Sequence, residues 1–139
     1  MTVVKNDLFD YKDRMIFQDD KSFKFSLDSI LLAEYAKCSI KKGKILDMCC
    51  GNMAVPLIIS KYVDNEIVGF EVQKKIYELG SKSIDINNVS TLNIINDDVK
   101  NISKYYKPET FNYIVCNPPF FKLDNINLNK NDELTIAKH

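Results

Sequence analysis

Tryptophan is absent from the sequence, and histidine occurs once, at the last position. Arginine also occurs once, as Arg14, so almost all of the positive charge is carried by lysine. None of the four cysteines, Cys38, Cys49, Cys50 and Cys116, forms a Cys-x-x-Cys pair. With a single His to add, no zinc set can be assembled, and no metal is expected. The cysteines are expected to be buried as small hydrophobes. A vicinal Cys49–Cys50 disulfide is disfavoured in a reducing compartment. No apolar run approaches the roughly 18 residues that span a bilayer, so no membrane partner is expected. The opening Met1-Thr2-Val3-Val4-Lys5-Asn6-Asp7 lacks the basic-then-apolar order of a signal peptide, and a cytoplasmic location is the expectation. Nineteen basic and nineteen acidic residues cancel, so there is no basic excess of the kind nucleic-acid binders usually carry.

What is present is an ordinary globular composition, 45% hydrophobic and 27% charged in 139 residues, enough for one domain with its own core. Four short apolar runs read as buried strands: Lys44–Met48, Glu66–Glu71, Thr91–Asn96 and Phe111–Cys116. Helical patterns lie between them, over Ala54–Tyr62 and over Gln73–Asn87, the latter with Ile76, Leu79 and Ser83 on one face. Strands alternating with helices predict an α/β fold with a parallel sheet of about four strands. Ahead of the first strand, Ser26 is a good N-cap for a helix whose apolar stripe is Leu27, Ile30, Leu31 and Tyr35. The stretch Arg14–Phe25 alternates as a hairpin would. The expected organisation is a single domain: hairpin and helix over 1–40, a βαβ core over 41–121, and a polar, Asn-rich tail over 122–139.

Asp47-Met48-Cys49-Cys50-Gly51-Asn52-Met53 ends the first core strand and precedes a helix. In doubly wound sheets the ligand crevice lies at this carboxyl edge. Gly51 permits close backbone approach. Glu71 ends the second strand, about 20 residues on, where a carboxylate reaches a ribose diol. Asp98, after the third strand, is placed to accept from an adenine amino group. A purely structural reading stands beside this one: Asp47 caps the next helix and Glu71 is a strand-end charge. Three acids at the carboxyl ends of successive strands favour a site. A dinucleotide site is disfavoured, because Gly51 alone does not make a Gly-x-Gly-x-x-Gly phosphate cradle.

Asn117-Pro118-Pro119-Phe120 follows directly on the fourth strand. Two prolines fix their φ angles and lack N–H donors, which holds the neighbouring carbonyls rigidly outward. An exocyclic amino group on adenine is a poor nucleophile because its lone pair is delocalised into the ring. If the Asn117 side-chain oxygen and the Pro118 carbonyl each accept one N–H, the nitrogen is drawn toward tetrahedral geometry and its lone pair is freed. Phe120 can then stack on the base. The alternative is a strand-terminating turn, which Asn-Pro-Pro makes for local reasons.

These residues resemble the class I S-adenosylmethionine-dependent methyltransferases with an Asn-Pro-Pro-aromatic motif. More narrowly, they are similar to the tRNA1(Val) (adenine-N6)-methyltransferase family. The narrower resemblance rests on Ile16-Phe17-Gln18-Asp19, Phe25-Ser26-Leu27-Asp28-Ser29-Ile30-Leu31-Leu32-Ala33, Asp47 to Asn52, Gly69-Phe70-Glu71-Val72-Gln73, Asn117 to Phe121 and Ile136-Ala137-Lys138-His139. It implies a Rossmann-like fold, S-adenosyl-L-methionine as cofactor, and tRNA as partner, methylated at the adenine beside the anticodon of a valine tRNA. It implies that Asp47, Cys49, Gly51, Glu71, Asp98 and Asn117 contact the cofactor, and that Asn117, Pro118, Pro119 and Phe120 hold the base. Glutamine-N5 protein methyltransferases share the tetrapeptide and remain an alternative. Cys49 and Met53 stand where the family has glycines, which implies side chains intruding on the cofactor, and Asn112 replaces an Asp. The family's sheet has seven strands, so the chain is expected to be the first part of such an enzyme or a truncated, non-catalytic remnant. An open edge on the fourth strand would then favour self-association.

Overall fold

The computed structural model describes residues 3–8, 11–19 and 26–118. In chain order the elements are β1 (Val3–Leu8), β2 (Tyr11–Asp19), α1 (Leu27–Ala36), β3 (Lys44–Asp47), α2 (Ala54–Ile59), β4 (Ile67–Phe70), α3 (Lys74–Asn87), β5 (Leu92–Ile95), a 3₁₀ helix (Val99–Lys104) and β6 (Phe111–Val115). Strands β3 to β6 form one parallel sheet in the order β5-β4-β3-β6. The α/β fold expected from the sequence is the fold observed, and all four core strands fall inside their apolar runs. The order reverses between β3 and β6, where doubly wound sheets bind their ligands.

Alternation along each strand divides the core into two layers. On one face Ile45 and Ile67 join Leu57, Ile58 and Ile59 of α2 and Leu8 and Ile16 of the hairpin. On the other, Leu46, Val68 and Phe70 pack against Val99, Ile102, Tyr106 and Phe111. Each fully buried Ile, Leu or Phe contributes roughly 1.5–3 kcal/mol. Every residue of α2 is buried, and Pro56 is tolerated there because N–H donors of the first helical turn have no intrahelical acceptor, so a missing one breaks no bond. Among the described residues no helix is long and apolar enough to cross a membrane.

Gly69, in the centre of the sheet, is required by packing. A Cβ there would lie 2.6 Å from Cβ and Sγ of Cys50 and 2.7 Å from Sδ of Met53. Cys50 cannot retreat, since its N–H donates to the Phe70 carbonyl at 3.1 Å. Overpacking of this kind costs about 1–3 kcal/mol, more than the entropy an added Cβ removes from the unfolded chain. Gly69→Ala is therefore expected to lower the urea midpoint of unfolding; an unchanged midpoint would show that the loop after β3 can shift.

Three expectations from the sequence are corrected. The hairpin pairs Val3 with Asp19 and Lys5 with Phe17, so it lies earlier than Arg14–Phe25. Of β1 only Leu8 is buried, which leaves that strand no apolar alternation to read; residues 20–25 lie outside the described part. On α1 the buried residues are Ser29, Ile30 and Ala33, whereas Leu27, Leu31 and Tyr35 are 61%, 58% and 78% exposed. The helix packs along α2, with Ile30 and Ala33 in the core cluster and Ser29 facing Asn117 just past the end of β6. Ser26 does occupy the N-cap with extended backbone, without a side-chain cap bond. Finally, only Cys50 is buried; Cys38, Cys49 and Cys116 are exposed free thiols at element ends.

Strand β2 is held on its outer side by side chains of α3. Phe17 N–H donates to Ser83 Oγ at 2.9 Å, and Met15 exchanges bonds with the Asn87 amide at 2.8 and 2.6 Å. Ser83 thus appears on the apolar face of α3 because it substitutes for a missing strand partner. At the base of α1, Glu34 accepts hydrogen bonds from Tyr11 and Tyr62 and pairs with Lys37.

Candidate active site at the carboxyl edge of the sheet

Strand β3 delivers Asp47 to the carboxyl edge with 2% of its surface exposed. Its Oδ1 accepts the Cys49 N–H at 3.2 Å, so the carboxylate turns back into its own loop. It does not cap α2, whose N-cap is Met53. Burial raises the Asp47 pKa from 3.8 to about 7; the Cys49 N–H partly opposes this, and the nearby Glu71 charge adds to it.

Glu71, just past β4, closes the loop. Its Oε2 accepts from Gly51 N–H at 3.1 Å and its Oε1 from Gln73 N–H at 2.9 Å. The Gly51 φ of 56° is the left-handed conformation that suits glycine. The Glu71 pKa is also raised, by burial, against the pull of the Gln73, Gly51 and Val72 N–H groups. Asp47 and Glu71 thus meet around one loop, both held above their ordinary pKa values by burial.

The sign of the pH effect follows. Between about pH 4 and pH 7 the unfolded Asp47 gives up its proton while the folded one keeps it, so stability is lost as pH rises. The shift corresponds to at most about 4 kcal/mol. Asp47→Asn should therefore gain stability relative to the parent as pH goes from 4 to 7. A difference that stays constant across that range in urea titrations would show that Asp47 is solvated.

Met53 is a second correction. The resemblance implied a side chain intruding on the cofactor; instead Met53 is 0% exposed and lies in the core beside Gly69 and Gly80. Its backbone is left-handed, φ 74°, which is why a glycine suits the position. The loop keeps the glycine backbone and directs the methionine away from the crevice. Cys49 reaches the surface with its sulfur partly desolvated, and that desolvation raises its pKa first, followed by Cys116, whose Sγ stands 3.9 Å away across the switch point.

Asn117 leaves β6 on the other side of that switch point. Met48 N–H donates to the Val115 carbonyl at 3.1 Å, which locks the two strand ends together. The Asn117 Nδ2 donates to Ser29 Oγ at 3.1 Å. Pro118 is half-buried; Pro119 and Phe120 lie outside the described residues. Asp98 stands at the same edge, but its side chain caps the 3₁₀ helix by accepting from Lys100 N–H at 3.0 Å. No hydrogen bond joins it to Asp47 or Glu71 among the described residues. Asn112 is at the far end of β6, where its Oδ1 accepts from Lys44 N–H at 3.3 Å; its change from Asp does not touch the crevice.

Three residues at this edge were not singled out from the sequence. Asn52, 1% exposed, donates to the Phe17 carbonyl at 3.0 Å and ties the loop to the hairpin. Asn96 donates to the carbonyls of Glu71 and Val72 at 2.9 and 3.2 Å. Ser29 meets Asn117. Only Ser29 left a trace in the sequence, as a small polar residue inside an apolar helix.

Comparison with protein families matches residues 24–136 to the methyltransferase small domain. The chain belongs to that family. Comparison with curated protein sequences finds no match. Among solved structures, this methyltransferase small domain resembles a 16S rRNA N2 methyltransferase of T. thermophilus solved with AdoMet and guanosine: TM-score 0.68, 20% identity, over 86% of this chain and 33% of that one. It also resembles the tRNA (uracil-54, C5)-methyltransferase of Pyrococcus abyssi solved with S-adenosyl-L-homocysteine, at TM-score 0.64 and 19% identity over 86% and 29%. A SAM-dependent methyltransferase of Agrobacterium tumefaciens gives TM-score 0.66 and 15% identity over 86% and 40%. At these identities the likeness is one of fold, the Rossmann-like methyltransferase fold. The chain spans less than half the length of each of these three proteins.

Proposed function

We propose that the domain binds S-adenosylmethionine against Asp47, Gly51 and Glu71 and directs methyl transfer to the N6 amino group of adenine in tRNA, at the adenine beside the anticodon of a valine tRNA. The observation that carries this reading is the juxtaposition across the β3–β6 switch point: an acid-rich loop on one side and Asn117-Pro118 on the other. When bound, S-adenosylmethionine supplies an electrophilic methyl on a sulfonium centre together with its own leaving group. Glu71 still has lone pairs to accept a ribose diol, and the buried Asp47 carboxylate gains by meeting a positive ligand. Cys49 and Gly51 line the approach, and Asp98 offers its second oxygen to a purine amino group.

Across the crevice, the Asn117 Oδ1 and the Pro118 carbonyl are the acceptor pair for the target nitrogen. Each draws on one N–H, which frees the lone pair for in-line attack and leaves the departing proton to solvent. Phe120, two residues on in sequence, is the proposed stacking partner for the base. A tRNA substrate is further supported by the Phe25 to Ala33 block that the tRNA-modifying family shares.

The test is mass spectrometry of the acceptors. The chain, or the longer protein that contains it, is incubated with S-adenosylmethionine and either unmodified valine tRNA or a peptide carrying a release-factor glutamine. N6-methyladenosine in the tRNA supports the proposal. Methylation of glutamine alone assigns the site to the other enzyme class, and a methylated base other than adenine refutes the N6 reading.

A further inference from the structure

Ser29 is 7% exposed, lies on the first turns of α1, and stands 88 residues before the Asn117 it contacts. Nothing in the core requires a hydroxyl there: its neighbours on the buried face of α1 are Ile30 and Ala33. What the hydroxyl does is receive the Asn117 Nδ2 at 3.1 Å. We propose that Ser29 is a positioning residue that holds the Asn117 amide in place beside the crevice, with its oxygen end left to meet an amino-group donor.

The chemistry turns on the two ends of a side-chain amide. Its NH2 end donates and its oxygen accepts. An amino group to be methylated presents N–H donors, so only the oxygen end of Asn117 can draw on it; a rotated amide would set N–H against N–H. Rotation about the terminal torsion of Asn is soft, and an Asn at a strand end with one free side would sample both orientations. In the observed geometry the Ser29 hydroxyl takes Nδ2 and leaves Oδ1 for the substrate. Since a hydroxyl can also donate, the tether fixes the place of the side chain, and the N–H groups of the substrate select its oxygen end. Helix α1 is well suited to hold it, because it packs along α2 and Ile30 and Ala33 anchor it in the core. The exposed Leu27, Leu31 and Tyr35 are a consequence of the same packing. The specificity that results is for a nitrogen nucleophile bearing two N–H groups, the shared feature of adenine N6 and a glutamine amide.

The inference rests on the reading of Asn117 given above, and the experiment separates the two. With the methyl acceptor identified there, Ser29→Ala is expected to lower kcat by about 10²-fold, the scale of a misplaced reacting group, while KM and the affinity for S-adenosylmethionine stay within about twofold. Ser29→Thr, which keeps the hydroxyl, should restore most of the rate. Because Ser29 acts through Asn117, the Ser29→Ala, Asn117→Ala double variant should be no slower than Asn117→Ala alone. An unchanged kcat in Ser29→Ala, or an additive double variant, overturns the proposal. A readout free of catalysis decides the same point: in chain labelled with ¹⁵N-asparagine, the Asn117 side-chain amide protons, identified by their absence in Asn117→Ala, should exchange with solvent faster in Ser29→Ala. Equal exchange rates overturn the tether even where no methyl transfer is seen, whereas faster exchange in an inactive wild type leaves the tether standing and places the failure with the proposed reaction.

Discussion

Asn117→Ala is expected to lower kcat/KM for methyl transfer by about 10²–10³-fold while leaving S-adenosylmethionine affinity within about twofold. The size is that of deleting one preorganised hydrogen-bond partner from a site where charge develops in the transition state. The asymmetry is structural. Asn117 stands just past the end of β6, and its described partner is Ser29 on α1, whereas the loop that would hold the cofactor is built by Asp47, Gly51 and Glu71 at the ends of β3 and β4. The two halves share the Met48–Val115 backbone bond, which the substitution leaves intact. Steady-state kinetics and an equilibrium titration of the same preparation check both halves. A variant that transfers methyl at the parental rate removes Asn117 from the mechanism; one that loses cofactor affinity as well makes it a cofactor ligand.

Met53→Gly, the substitution to the glycine that the family resemblance implies here, is expected to destabilise the chain by up to about 4 kcal/mol. Two terms oppose each other. Releasing a side chain from the left-handed region recovers about 1–2 kcal/mol. Truncating a methionine that is 0% exposed costs about 2–5 kcal/mol in lost contacts and cavity. The cavity term wins because Met53 lies between α2, Gly69 and Gly80, where the neighbours are themselves buried and cannot collapse inward. Chemical denaturation measures the difference. A stabilised glycine variant would mean that the methionine is strained without being needed.

Much of this architecture is legible in the sequence, and the reasons are physical. The inner strands of a parallel sheet are covered on both faces, so Ile45-Leu46 and Ile67-Val68 stand out as apolar runs with no competing period. Chemistry collects at strand ends, so Asp47, Glu71 and Asn117 are found by counting from those runs. Element faces are harder. Helix α1 carries more apolar residues than it buries: the large Leu27, Leu31 and Tyr35 are left exposed, and Ser29, Ile30 and Ala33 are buried instead. A glycine position filled by Met53 reads as an intrusion on the ligand, because sequence gives the residue and not the direction of its side chain. Contacts such as Ser29 with Asn117 and Asn52 with Phe17 join residues far apart in the chain, and local pattern carries no record of them.

The central claim is that the Asp47–Glu71 loop is a working S-adenosylmethionine pocket. Its most direct test is a calorimetric titration of the chain with S-adenosylmethionine near pH 6.5, run in two buffers of different ionisation enthalpy. In the free chain Asp47, with its pKa near 7, is largely protonated at that pH. A cationic ligand favours the carboxylate, so binding should release a proton, and the observed heat should change with the buffer. Binding in the micromolar range with proton release, both weakened in Glu71→Ala, is the predicted result. No heat at millimolar S-adenosylmethionine, or binding that Glu71→Ala leaves unchanged, would contradict it.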